Sequence, residues 1–227
     1  MKSICILLFL IFFGASPITA QSKRESVSLF NNANLTSVKV KTSQEKYLGK
    51  NALKVVDAGE NTEVKFVKID QLEFKDGIIE IEVSGKPAES SSEQARGFVG
   101  IAFRINEDNS KFECIYLRPT NGRALDQVRR NHSVQYISYP DFPWQTLRRD
   151  FPEKYESYVD LEPGVWTKIR IEVVGNQAKL FVHGSSQPTL IINDLKHGAD
   201  QEGSIGLWIG PGTEAHFSNL FVTRVTE

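Results

Sequence analysis

Between Arg118 and Tyr158 the chain concentrates side chains that could recognise or transform a charged ligand. Six of its eleven arginines, Arg118, Arg123, Arg129, Arg130, Arg148 and Arg149, fall within residues 118–149, where no lysine occurs and the only acids are Asp126 and Asp141. Arginine offers a planar fork that holds two carboxylate, sulfate or phosphate oxygens and stacks on aromatic faces, whereas lysine supplies a mobile point charge. The bias suits an anionic sugar site in which Arg118, Asn121, Arg123, Arg129, Arg130 and Arg148 bind the ligand. It suits equally a long loop whose guanidiniums bond its own carbonyls and pair with Asp126, Asp141, Asp150 or Glu156.

His132 sits in Arg129-Arg130-Asn131-His132-Ser133, a positive surround that predicts a lowered pKa and a neutral ring able to accept a proton. With Tyr136 close in sequence, a His or Tyr base beside an arginine that neutralises a carboxylate suits β-elimination from a uronic acid. The plainer alternative is a histidine that bonds the loop, since a perturbed histidine marks function only statistically. Glycoside hydrolysis needs instead two carboxylates about 5 to 10 Å apart. Asp126 and Glu156 are the first candidates, with Asp141, Glu153 and Glu113 behind them, and no pair is spaced one strand period apart.

Sugar stacking needs a ring with open space before it. In Ser204–Gly210, Ile205, Leu207 and Ile209 alternate with Ser204, Gly206, Trp208 and Gly210, which predicts Trp208 as a platform among residues with little side chain, unless the insertion folds over it. Trp144, beside Phe142 and Pro143, and Tyr139 are further aromatic candidates. Trp166 is expected in the core. No paired-cysteine, HExxH, phosphate-loop, GxSxG or EF-hand signature is present, so neither a metal nor a cofactor is expected.

The elements that must carry these residues begin after a leader. Lys2, the apolar run Ile4–Phe13 and Ala20 have the layout of a signal peptide, too short to span a bilayer, which predicts a secreted or periplasmic protein with no membrane insertion once residues 1–20 are removed. Residues 21–227 suit one all-β domain. The net charge of −1, which becomes −2 without Lys2, gives no basic field for nucleic acid. Cys114 is then the only cysteine, so no internal disulfide forms, and its apolar neighbours in Phe112–Leu117 predict a buried, inert thiol.

Apolar residues recur with a period near two, as in Ile79-Ile81-Val83, Ile169-Ile171-Val173 and Ala178-Leu180-Val182, with Gly175-Asn176 as a hairpin turn between the last two. Similar runs at 27–30, 37–41, 52–56, 64–69, 98–105, 111–117, 134–139, 189–192, 204–209 and 216–225 predict about a dozen strands. No long helical period appears, so the fold class is an all-β sandwich or jelly roll of antiparallel sheets. Residues 118–163 break the rhythm as a long insertion holding at most one strand. Its aromatic content argues for an ordered loop packed on the sandwich. Lys86–Glu93, polar and small, is expected to be a flexible connection.

Val27-Ser28-Leu29-Phe30-Asn31-Asn32-Ala33-Asn34-Leu35, Gly203–Trp208 and Phe217–Val222 together resemble the concanavalin A-like jelly rolls grouped as 3-keto-disaccharide hydrolase domains. Trp166-Thr167-Lys168-Ile169 falls where that family carries a Trp ahead of a strand. The resemblance implies that the opening segment pairs with the final strand, and that a concave face handles glycans. The block from Arg118 to Tyr158 departs from the family core, so no catalytic residue transfers. The expected partner is an oligosaccharide or polysaccharide, bound between Trp208 and the insertion. Two rivals stand beside this expectation: a glycoside hydrolase or lyase, and a protein-interaction module whose aromatic residues form an exposed patch.

Overall fold

The computed structural model describes residues 21–30, 34–60 and 62–226; the expected leader lies outside them. The described strands are β1 (Gln21–Val27), β2 (Leu35–Val38), β3 (Val40–Tyr47), β4 (Lys50–Asp57), β5 (Phe66–Phe74), β6 (Gly77–Pro87), β7 (Val99–Ile105) and β8 (Phe112–Leu117). They continue with β9 (Val134–Tyr139), β10 (Glu156–Ser157), β11 (Thr167–Val174), β12 (Gln177–Val182), β13 (Leu190–Ile192), β14 (Gly203–Ile209) and β15 (Thr213–Thr226). They form two antiparallel sheets. One has the order β13-β12-β11-β6-β15-β4-β3 with β1 also on β15, and the other has the order β10-β9-β8-β7-β14-β5-β2. The chain is a jelly-roll β-sandwich, as the alternation predicts. The opening strand pairs with the last one from Gln21↔Thr226 to Val27↔Leu220, so residues 28–30 lie past a strand that starts earlier than expected.

The inner faces follow from register. Ile81 stands opposite Ile169 and Ile79 opposite Ile171 in the eight-stranded sheet, while Leu207, Ile101, Ile115 and Tyr136 form one row across the other sheet. All of these side chains are buried in one core cluster, and their removal from water supplies the main drive for packing the sheets. The hairpin β11–β12 turns on Gly175-Asn176, with Gly175 at φ +57°.

The expected single strand at 37–41 is two strands in different sheets. Lys39 adopts φ +55°, a left-handed conformation, and the chain crosses from β2 to β3 there. The insertion also holds more than a loop: besides β9 and the two-residue β10 it contains α1 (Gln127–Asn131) and α2 (Trp144–Asp150). Asp126 caps α1 by accepting from the Arg129 amide at 2.7 Å. The predicted flexible connection after β6 is an ordered turn, with Ala88 N donating to Gly212 O, Ser91 N to Ala88 O and Ala95 N to Ser92 O. Cys114 is buried, and Trp166 is half-buried with its indole donating to Tyr47 O, outside the core expected for it. Among the described residues no helix is long and apolar enough to cross a membrane.

Candidate functional site

The site lies on the face of the seven-stranded sheet turned away from its partner. Register sets Trp208, Gly100, Tyr116 and Gln135 in one row there. A Cβ on Gly100 would stand 2.5 Å from that of Tyr116, so glycine is what lets the neighbouring strands present their rings side by side. Tyr116 and Trp208 then meet with centroids 4.7 Å apart. A cavity of about 730 Å³ opens over this row, large enough for a small oligosaccharide. Its walls come from the Ser90–Phe98 segment, the insertion, Glu63 ahead of β5, and Pro211-Gly212 after β14.

Trp208 is not the open platform its alternation predicts. Its side chain faces the expected way but is only 1% exposed, held by Tyr116 and by an indole hydrogen bond of 2.7 Å to Glu63 O. It forms the floor. The lining rings with free surface are the half-buried Phe98 and Trp144, and Trp144 lies under the Arg148 and Arg118 guanidiniums at 4.8 and 5.8 Å.

Behind this wall a single carboxylate organises two guanidiniums and a histidine. Glu156 is buried and accepts 3.0 Å from Arg148 Nε, 3.2 Å from Arg118 Nη1, and a second, shorter bond from Arg148 Nη2. His132 Nδ1 is 3.0 Å from Glu156 Oε2, near enough to pair but not aligned as a hydrogen bond. Burial by itself would raise the Glu156 carboxyl; the hydrogen bonds and charge of Arg148, with His132 and Arg118, outweigh it and hold the pKa below its ordinary value. Arg118 is further fixed by His132 O, the Tyr116 hydroxyl and Gln135 Oε1. His132 is lowered, as expected. The chief cause is burial, followed on that side by Arg148 and Arg118 rather than by its sequence neighbours, with Glu156 opposing.

The predicted residues divide. Arg118, Asn121, Asp126 and Arg129 line the cavity, as do His132, Trp144, Arg148 and Trp208. Glu156 stands behind Arg148. Arg123 points away, exposed, with Asp160 and Glu162 on its guanidinium, and Arg130 binds the Tyr158 hydroxyl at 2.7 Å. Tyr136 occupies the opposite face of the sheet, inside the sandwich; its hydroxyl donates to Glu113 at 2.7 Å, and burial pushes its pKa up, so it is no base for the cavity. Tyr139 stacks on Phe112 at 5.0 Å instead of lining the cavity.

Two charged lining residues escaped sequence reasoning. The Glu63 carboxyl group takes part in no hydrogen bond or ion pair among the described residues, and burial pushes it above the ordinary value against the pull of Lys65 and Arg118. Arg96 donates only to main-chain carbonyls, Glu93 O at 2.5 Å and Ala95 O at 3.0 Å. Register from Trp208 could have pointed to Tyr116; nothing local marks Glu63 or Arg96.

Residues 25–223 match the sequence profile of the 3-keto-alpha-glucoside-1,2-lyase-like domain. The chain belongs to this family. A comparison with curated proteins found no match. Among solved structures, the chain is similar to carbohydrate-binding module CBM66 from Bacillus subtilis, at 12% identity and a TM-score of 0.52, covering 81% of this chain and 94% of that one. It is also similar to a Bacillus subtilis protein of unknown function with a galectin-like fold, at 10% identity and a TM-score of 0.53, covering 88% and 94%. Such identities establish a shared fold alone. Among the described residues of the domain, no group of three His, Cys, Asp or Glu side chains is placed to hold a metal ion.

Proposed function

We propose that the chain is an exported glycan-binding protein whose cleft takes a sugar carrying an acidic group. The observation that carries this is the combination of a cavity of about 730 Å³, two rings with free surface, and four guanidiniums facing three carboxylates. The rings supply stacking faces, and the guanidiniums of Arg96, Arg118, Arg129 and Arg148 leave a net positive charge even with Glu63, Asp126 and Glu156 all ionised. The sandwich shared with a carbohydrate-binding module and the signal-like residues 1–20 support export and a sugar partner. The insertion's rings are buried or half-buried apart from Tyr158, which is not the exposed patch that a protein-docking face needs.

The family match and Glu63 favour a second reading, in which the cleft breaks the sugar it holds. For β-elimination from a uronic acid, neutral His132 takes the proton from the carbon bearing the carboxylate. The C–O bond on the next carbon breaks as the double bond forms, and protonated Glu63 returns a proton to the leaving oxygen. The deciding experiment incubates the purified mature protein with neutral, uronic, sulfated and 3-keto glycans, following retention, reducing ends and unsaturated products. Retention without products supports binding alone, products establish an enzyme, and neither result abandons the sugar for a protein partner.

A further inference from the structure

We infer that Arg96 and Arg129 form an oxyanion subsite that reads the carboxylate of a uronic acid or the sulfate ester of a sulfated sugar, which deepens the glycan-binding reading and rests on it. The two residues come from different segments of the chain and line the same cavity. Thr120 ties the two segments together: its amide donates to the Arg96 main-chain O at 3.3 Å, while its carbonyl and hydroxyl accept from Arg129 Nη2 at 3.4 and 3.1 Å. Two like charges are thus held together by the fold, and the repulsion registers as a lowered Arg96, with burial the larger cause. Neither guanidinium meets a carboxylate among the described residues. Asp126, the acid nearest to Arg129 in sequence, spends Oδ1 on the Arg129 main-chain amide, Glu93 meets Arg96 through its main-chain O, and Glu156 is shared by Arg118 and Arg148.

Donors remain unused as well. Arg96 employs only Nη1, leaving Nε and Nη2, and Arg129 employs Nε, toward Asn121 Oδ1 at 2.9 Å, and Nη2, leaving Nη1. A guanidinium needs no second cation beside it to hold a loop. A paired set of free forks in a cavity is what a carboxylate or sulfate would satisfy, with charge-assisted bonds to both. Arg123 and Arg148 lack this property, because their forks already close on Asp160, Glu162 and Glu156.

The test compares binding of a uronate oligosaccharide with its carboxyl-reduced form, and of a sulfated oligosaccharide with its desulfated form, to the wild-type protein and to Arg96→Gln and Arg129→Gln. At least one acidic sugar should bind wild type roughly 10- to 100-fold more tightly than its neutral counterpart, as one or two charge-assisted hydrogen bonds imply. The pair that shows the preference identifies the oxyanion. Each variant should lose most of that preference. Arg96→Gln is the cleaner variant, since Arg96 bonds only to carbonyls of its own turn. Equal binding of acidic and neutral forms, or an undiminished preference in Arg96→Gln, overturns the subsite and leaves glycan binding standing. Binding of no sugar overturns both.

Discussion

The two ends of β7 each carry an arginine, and they are used in opposite ways. Past the middle of the strand, Arg104 is fully buried. Its guanidinium donates to Lys75 O and Gly198 O at 2.9 Å, to Gly175 O at 2.7 Å and to Asp76 Oδ1 at 3.1 Å, tying together turns from three parts of the chain. Ahead of the strand, Arg96 bonds two carbonyls of its own turn and faces open space. A closed guanidinium with a carboxylate beside it is structural. One with spare donors, a cationic neighbour and a cavity in front of it is what recognition needs, and the contrast separates the two without reference to sequence position.

The comparison breaks first at Arg104. Arg104→Met should cost about 3–5 kcal/mol, because it removes four hydrogen bonds made by a fully buried guanidinium and leaves three half-buried carbonyls without their donor, while Asp76 keeps only the Gly175 amide; urea denaturation measures it. An unchanged midpoint would remove the structural half of the contrast. Next comes Glu156→Gln, which leaves Arg118 and Arg148 without their shared anion and should cost about 1–3 kcal/mol at neutral pH. The Glu156 pKa is depressed in the fold, so its contribution is full above the ordinary value of 4.5 and is lost as pH falls through the folded value. The gap between wild type and Glu156→Gln should therefore narrow in acid.

Glu63 gives the smallest effect and the opposite sign. Its folded pKa is raised, so the wild-type protein has full stability below the ordinary 4.5 and loses part of it as pH rises through the folded value. Glu63→Gln, which cannot ionise, should melt at the same temperature as wild type in acid and slightly higher at neutral pH. A variant that melts lower at neutral pH would show that Glu63 is held by the fold rather than by function.

The sandwich was legible because burial imposes a period of two wherever one face of a strand is in the core. Ile79-Ile81-Val83 and Ile169-Ile171-Val173 fall on that face as predicted, and Gly175-Asn176 turns where a hairpin signal should. The split at Lys39 was not legible, since a single φ value there depends on which sheets the flanking strands join. The two short helices and β10 escaped for a related reason: they are too brief to show a period and are held by contacts such as Tyr136 N to Tyr155 O.

For the cleft, alternation gave the face of Trp208 but not its cover. That cover includes Tyr116, reached only by pairing across β7, and the cavity over it is walled by the Ser90–Phe98 segment and Pro211-Gly212. The arginine bias marked a segment that lines the cavity with Arg118, Arg129 and Arg148, while Arg123 and Arg130 turn to Asp160, Glu162 and Tyr158. Arg96 and Glu63 carry no local signal at all. They acquire their character from neighbours far along the chain.

The most direct measurement is a calorimetric titration of the best-retained glycan into wild type and into Ser92→Trp, which places a bulky ring at an exposed serine on the cavity wall. Saturable binding by wild type that Ser92→Trp abolishes, with both proteins melting alike, is the expected result. Binding that Ser92→Trp leaves intact would place the sugar elsewhere on the sandwich and contradict the assignment of this cleft.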